Sequence, residues 1–251
     1  MRVLIINPNT TASITERICE IASRLHPTIE FIPATGRFGA EYISCRAASA
    51  IASHATLDAY AAKAAGCQAV LLACFGDPGL FALREIASIP VIGLAEASCQ
   101  AAALGNRKFS IVTGGERWGP MLHEFVVSIG LSDHCASIKC VAPTGGEIAN
   151  NPAKALSILA SACNQCAEED KAGIVILGGA GLAGIAEQLR PAIKVPVICS
   201  IEAGIQRVVD ALQQPFAKPR QGDLAFPPTF ATHGISDELS HLLSARAPQQ
   251  E

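Results

Sequence analysis

Charge is scarce in this sequence. Only 16% of its 251 residues are Asp, Glu, Lys or Arg, the formal net charge is −3, and no basic run occurs along it. A chain so thinly charged lacks the electrostatic footprint of a nucleic-acid binder. Long hydrophobic runs are missing too: the longest are strand length, far from the roughly 20 residues of a membrane span. Met1-Arg2 leads straight into an apolar segment without an export-signal pattern, so a soluble, cytoplasmic chain is expected. Absent as well are HExxH, GxSxG and any pair of carboxylates within one motif, the signatures of zinc peptidases, serine hydrolases and two-carboxylate enzymes. His26, His54, His123, His134, His233 and His241 show neither ligand spacing nor strand-end placement and read as surface or satisfied positions. Aromatic residues make up 5% of the chain, with a single tryptophan, Trp118.

Cysteine, by contrast, is plentiful. The ten thiols are scattered, mostly within Ala/Ile/Leu-rich segments, and in a chain of this length without an export signal they read as reduced and buried. Cys163 and Cys166 have CxxC spacing, but they lie inside a helical pattern without a second pair, so neither zinc nor redox chemistry is expected there.

One cysteine stands apart. Val70-Leu-Leu-Ala-Cys74-Phe75-Gly76-Asp77-Pro-Gly79-Leu80 begins as a buried-strand pattern, ends at a thiol and turns through Gly/Asp/Pro/Gly into a helical pattern. In an open parallel α/β sheet, ligands bind beyond the carboxyl ends of the strands. The helix expected over 79–88 would place its N-terminus beside this thiol and favour the thiolate.

The same pattern returns about 105 residues later. Val70–Gly76 aligns with Val175–Gly181, Ile89–Ile92 with Val195–Ile198, Glu96-Ala97 with Glu202-Ala203, and more weakly Val3–Asn7 with Phe109–Thr113. The class expected is therefore α/β, with two pseudo-symmetric lobes, each a parallel sheet flanked by helices, and one site in the cleft between them. Residues 1–97 plus 214–251 would form the first lobe and 98–213 the second. In this alignment Cys74 faces Gly179, so only one half carries the thiol. Gly178-Gly179-Ala180-Gly181 lacks the Lys-Ser/Thr of a P-loop and is too short for GxGxxG, which argues against nucleotide binding.

Taken in order, the pattern predicts strands at 2–6, 30–34, 70–74, 90–94, 108–112, 136–141, 173–178 and 195–199. Helices are expected at 12–25, 46–65, 79–88, to about 104, 118–129, 152–169, 182–190 and 202–213, with a loop at 142–151. Asn7, Asn9 and Thr10 follow the first strand, where they can cap the next helix or hold a ligand. Thr113 occupies the position of Asn7 in the second half. The loop 35–44, with Arg37 and Tyr42, reads as part of a lid; Arg37 is either solvated or a partner for a substrate carboxylate. Glu96 and Glu202 stand at helix starts and read as caps. Residues 221–227 are expected to pack back on the first lobe, and 245–251 to fray.

Ile6-Asn7-Pro-Asn9-Thr10, Ala73-Cys74-Phe75-Gly76-Asp77-Pro-Gly79-Leu80, Phe109–Thr113 and Gly222-Asp-Leu-Ala-Phe-Pro227 resemble the Asp/Glu/hydantoin racemase superfamily, above all its hydantoin and allantoin racemases, over nearly the whole chain. The resemblance implies an enzyme without a cofactor or metal, acting on a small molecule. It is also the sole ground for expecting a homo-oligomer. In such racemases two cysteines face each other across the substrate's α-carbon; one takes a proton as thiolate and the other returns one to the opposite face. By the same resemblance, Asn7, Asn9, Thr10, Thr113 and the backbone at Phe75, Gly76, Gly179 and Ala180 would bind substrate and stabilise an enolate. The chain departs from the family at Gly179, where the second cysteine usually stands. Cys199, which also ends a strand, is a candidate substitute, and water is another. Related single-cysteine enzymes such as arylmalonate decarboxylase keep open a lyase or a hydrolase that uses Cys74 as proton donor or nucleophile. A ligand-binding protein without activity is the third reading, against which the intact Cys74 motif argues.

Overall fold

Val3, Leu4, Ile5 and Ile6 are all fully buried, which only a strand covered on both faces allows. They form β1 (Arg2–Asn7), the centre of a parallel sheet in the computed structural model, which describes residues 1–141, 152–182 and 184–244. The loop 142–151 and the tail 245–251 lie outside the described residues.

The first half runs α1 (Ala12–Leu25), β2 (Glu30–Thr35), α2 (Arg46–Lys63), β3 (Ala69–Leu72), α3 (Leu80–Ile86), β4 (Val91–Gly93) and α4 (Leu94–Ala103). The second runs β5 (Phe109–Gly114), α5 (Trp118–Ser128), β6 (Cys135–Val141), α6 (Pro152–Glu168), β7 (Ile174–Gly178), α7 (Ala186–Leu189), β8 (Val197–Cys199) and α8 (Ser200–Leu212). Strand order is β2-β1-β3-β4 in one sheet and β6-β5-β7-β8 in the other. All pairs are parallel: β1 pairs with β3 in the register Ile6 to Leu72, and β5 pairs with β7 in the register Thr113 to Gly178. The two sheets are the two α/β lobes expected from the repeat.

The lobes exchange their last helices. α4 packs on β7 and β5 of the second sheet, α8 packs on β3 and β4 of the first, and the two helices pack against each other. Gly204 makes this approach close, since a Cβ there would sit 2.6 Å from Leu94 Cδ1 and 3.1 Å from Leu71 Cδ1. One apolar core therefore runs through both lobes, joining Ile5, Leu71 and Leu94 to Ile111, Ile176 and Ile205. Each such side chain, fully buried, contributes about 1.5–3 kcal/mol.

The second half of the expected helix 182–190 survives as α7 alone. A 3₁₀ turn over Ala180–Leu182 precedes it, and Gly184 sits at φ +79°, which ends any continuous helix. An unexpected helix, α9 (Asp237–Ser244), closes the described chain and packs on α2. The segment before it returns to the first lobe: Lys218 Nζ donates to the carbonyls of Arg84 and Glu85 and lies 4.9 Å above the Phe226 ring.

Candidate active site

The carboxyl ends of β1, β3, β5 and β7 converge on a cleft of about 160 Å³ between the lobes. β3 passes through Ala73, whose N–H donates to Ile6 O at 2.7 Å, and delivers Cys74 into the cleft. A tight turn follows. Asp77 N–H donates to Cys74 O at 3.0 Å, with Gly76 at φ +119° and Asp77 at φ +47°. Gly76 is required twice over, by that backbone and by the Trp118 ring, which would lie 2.5 Å from any Cβ.

The second lobe repeats this device. At Gly178, the end of β7, a Cβ would meet the Phe75 ring at 2.3 Å. Each lobe thus presents a bare glycine backbone to an aromatic ring of the other, and those two rings, Phe75 and Trp118, wall the cleft. Thr113 lies beside Gly178, its Oγ1 donating to Gly178 O at 2.7 Å. Gly179 follows at φ +127°, its N–H donating to Ser200 Oγ at 3.3 Å. The nearest atom to a Cβ placed there would be Thr113 Oγ1, 3.8 Å away.

Asn7 and Asn9 line the cleft and also order the turn after β1. Asn7 Nδ2 donates to Asn9 Oδ1 at 2.8 Å and to Thr15 Oγ1 at 3.0 Å, while Asn9 Oδ1 accepts the Thr11 N–H at 2.9 Å. Both residues line the cleft, but neither caps α1, whose N-cap is Thr11 without a side-chain cap bond.

Burial pushes the Cys74 thiol from 9.0 up to about 12, and the charge of Asp77 acts in the same direction. The expected thiolate-favouring helix end is outweighed, because α3 begins six residues beyond Cys74 and has only two turns. Asp77 is itself buried. Desolvation raises its carboxyl to about 7, opposed by hydrogen bonds from the N–H groups of Ala95 (2.9 Å) and Glu96 (2.8 Å) and by the Arg84 charge. It is Asp77, therefore, that caps α4. Glu96 instead pairs with Arg84 (Nη1 to Oε1, 2.9 Å), as Glu202 does with Arg190 at 3.3 Å in the second lobe.

The structure brings together Cys74, Asn7, Asn9, Phe75, Thr113 and Gly179 around the cleft. Thr10, Gly76 and Cys199 stand outside its lining. Thr10 donates its N–H to Ala40 O at 3.1 Å, and Gly76 lies beneath the Trp118 ring. Cys199 is buried at the start of α8, where burial raises its thiol against the pull of the N–H groups of Glu202, Ile201 and Gly184. Ala180 opens the 3₁₀ turn beside the cleft; its side chain lies outside the described residues.

Arg37 stays exposed, as its solvated reading expects, and stands outside the cleft lining. It forms a paired interaction with the buried Asp58 (Nε to Oδ2 2.8 Å, Nη2 to Oδ1 2.7 Å) and reaches Glu238 at 3.5 Å. These contacts pin the loop 36–44 to α2 and α9, beside a broader depression of about 710 Å³. His54, expected to be satisfied or exposed, borders that depression with a buried Nε2 that has no hydrogen-bond partner among the described residues. Five lining residues escape a reading of strand ends: Ile14 of α1, Tyr42 and Ile43 from this loop, Trp118, and Leu182. The signal for Trp118 was its singularity in an aromatic-poor chain.

Among the described residues, no group of three or more His, Cys, Asp or Glu side chains is arranged to hold a metal ion, and no helix is long and apolar enough to cross a membrane.

Comparison with known proteins places this arrangement. Hydantoin racemase of Paenarthrobacter aurescens is 35% identical over 217 residues, covering 84% of this chain and 91% of the relative. The crystal structure of allantoin racemase from Pseudomonas fluorescens superposes with a TM-score of 0.88 at 30% identity, covering 93% of this chain and all of that one. Allantoin racemase from Klebsiella pneumoniae gives 0.85 at 32% identity, covering 96% and 98%. The family model for Asp/Glu/hydantoin racemase matches residues 3–208. A match running from the first strand into the last interlobe helix shows that the chain belongs to the Asp/Glu/hydantoin racemase family.

Proposed function

We propose that the chain is a cofactor-independent isomerase that moves a proton at the α-carbon of a small cyclic amide or α-substituted carboxylate, with Cys74 as the acid/base group. The observation that carries this reading is the place of Cys74. Among the described residues it is the one thiol lining a cleft whose other polar side chains, Asn7, Asn9, Tyr42, Thr113 and Trp118, are uncharged hydrogen-bonders. Neutral donors around a reacting carbon suit an enolate, whose charge develops only in the transition state. A cleft of about 160 Å³ lies below the roughly 300 Å³ where drug-sized sites begin, and so favours a single small ring. Hydantoins and allantoin, named for the relatives, lead the candidates.

A second reading keeps the scaffold and changes the reaction. Gly179 offers no side chain to the face opposite Cys74, which favours chemistry that needs one proton carrier: decarboxylation, or ring opening with Cys74 as nucleophile. Proton NMR in D₂O with chiral hydantoins, allantoin, thiazoline and imidazoline carboxylates and α-substituted malonates separates the two. Deuterium at the α-carbon with loss of optical activity is the expected result. A ring-opened or decarboxylated product would transfer the assignment to the second reading. Cys74→Ser is expected to abolish turnover while leaving the melting temperature within a few degrees, and near-wild-type turnover in that variant would remove Cys74 from its role.

A further inference from the structure

Resting on the acid/base reading of Cys74, we propose that the phenol of Tyr42 is the second proton carrier, serving the face that Gly179 leaves empty. Among the described residues, the cleft lining holds two ionisable side chains, Cys74 and Tyr42. Racemisation at a carbon needs a proton taken from one face and one returned to the other, so a single thiol does not suffice.

Position supports the pairing. Tyr42 belongs to the loop between β2 and α2 of the first lobe, yet its hydroxyl ends against the second. It lies 3.5 Å from Gly114 O at the end of β5, and a Cβ on Gly115 would stand 2.6 Å from it. Cys74 therefore reaches the cleft from the end of β3, and the phenol from beside β5. The loop that carries Tyr42 is held in place: Gly36 N–H donates to Asn7 O at 2.8 Å, and Thr11 Oγ1 donates to Glu41 O at 2.9 Å.

The hydrogen bonds of the phenol suit a donor. The Trp118 side chain lies beside the phenol at Gly115 and favours its ionised form, which supports the phenolate once the proton has left. The phenol's own hydrogen has Gly114 O at 3.5 Å, the far limit of a hydrogen bond, so it is weakly held and can turn to a ligand. Half of the residue is open to solvent, which gives the phenolate a route to recover its proton. Burial raises the phenol, Trp118 opposes that, and a charge on Cys74 raises it further. The two groups therefore resist ionising together, and one base with one acid is the state that racemisation requires.

The steps balance. Cys74 as thiolate takes the α-hydrogen, forming S–H while the C–H electron pair enters the enolate. The Tyr42 O–H bond then breaks as a C–H bond forms on the opposite face, leaving phenolate. Solvent returns a proton to the phenolate and accepts one from the thiol.

The test follows one enantiomer of a racemised substrate in D₂O with the wild type, Cys74→Ser, Tyr42→Phe and Tyr42→Phe/Gly179→Cys. In Tyr42→Phe, loss of optical activity is expected to slow at least 100-fold, the usual weight of a general acid. α-Deuteration with retention, driven by Cys74 alone, should fall far less. The thiol that Gly179→Cys introduces meets no atom closer than 3.8 Å at its Cβ but strains the backbone at φ +127°; in a double variant whose melting temperature shows it folded, racemisation should recover at least tenfold. Wild-type racemisation in Tyr42→Phe would overturn the assignment, as would parallel loss of exchange and racemisation in a folded Tyr42→Phe. A wild-type enzyme that exchanges without racemising would overturn it too, leaving Cys74 in its role. Exchange that persists in Cys74→Ser would instead overturn the reading of Cys74.

Discussion

In the reaction proposed for it, Cys74 starts as a thiol that burial holds protonated. Its surroundings are apolar and its nearest charge, Asp77, is of the sign that opposes a thiolate. On that proposal little thiolate is present near neutral pH, and its fraction grows as the pH rises. For a substrate that does not itself ionise in the range, kcat/KM is expected to rise close to tenfold per pH unit from pH 7 to 10, without a plateau. A plateau beginning below pH 8 would show that the thiol ionises in the ordinary cysteine range. Sequence made the location of this thiol legible, because a strand pattern ending at Cys-Phe-Gly-Asp-Pro-Gly fixes where the side chain must emerge. Its ionisation was not legible. A helix start nearby suggested a thiolate, but desolvation depends on what the other lobe lays over the turn, and the Trp118 ring comes from 42 positions beyond Gly76. The exclusion of Cys199 from the cleft lining was hidden for a similar reason. Strand-end spacing places it at the correct height, whereas the short β8 puts it at the sheet edge, turned into the start of α8.

At the scale of elements, Asp77 couples the Cys74 turn to α4. Both carboxylate oxygens receive N–H groups from the first turn of a helix that lies 17 residues further on. Asp77→Asn preserves one acceptor and sets an amide NH₂ against the other donor. The expected loss is about 1–3 kcal/mol, read as a lower urea midpoint at unchanged m, together with reduced turnover as the Cys74 turn loosens. Unchanged stability would show that the cap is dispensable. The long, evenly patterned elements, such as α1 and α6, could be read directly from the sequence. The segment 182–190 could not, because an apolar spacing that suits a helix is interrupted by Gly184 in a left-handed conformation. α9 is missing from the predicted helices although its cap is visible: Ser236 precedes Asp237 and Glu238, and its Oγ accepts the Leu239 N–H at 3.3 Å. Charged Asp58, likewise, gave no sign in sequence that it would hold Arg37, since they sit 21 residues apart.

In the whole molecule, the exchange of α4 and α8 joins the lobes into one cooperative unit. β3 and β4 of the first sheet are packed by a helix of the second half, and β5 and β7 of the second by a helix of the first. Far-UV circular dichroism and Trp118 fluorescence should therefore report the same unfolding midpoint. Gly204→Val, which drives a branched side chain into Leu94 and Leu71, should cost about 1–3 kcal/mol of stability, read as a lower shared midpoint. Separate transitions for the two probes would show that the lobes unfold independently. The repeat in the sequence predicted two like halves and carried no hint of the exchange, because a helix pattern records which face is apolar and not which sheet covers it.

The exchange also sets a timetable for synthesis. The strands of the first sheet are complete at Gly93, but the helix that covers one face of β3 and β4 ends at Leu212. At roughly 5–20 residues per second, the ribosome needs on the order of 10 s to cross that gap. Throughout that interval the nascent chain carries Leu71 and Leu94 on an uncovered apolar surface, where a chaperone, or a neighbouring nascent copy at the same stage, competes with a helix not yet made.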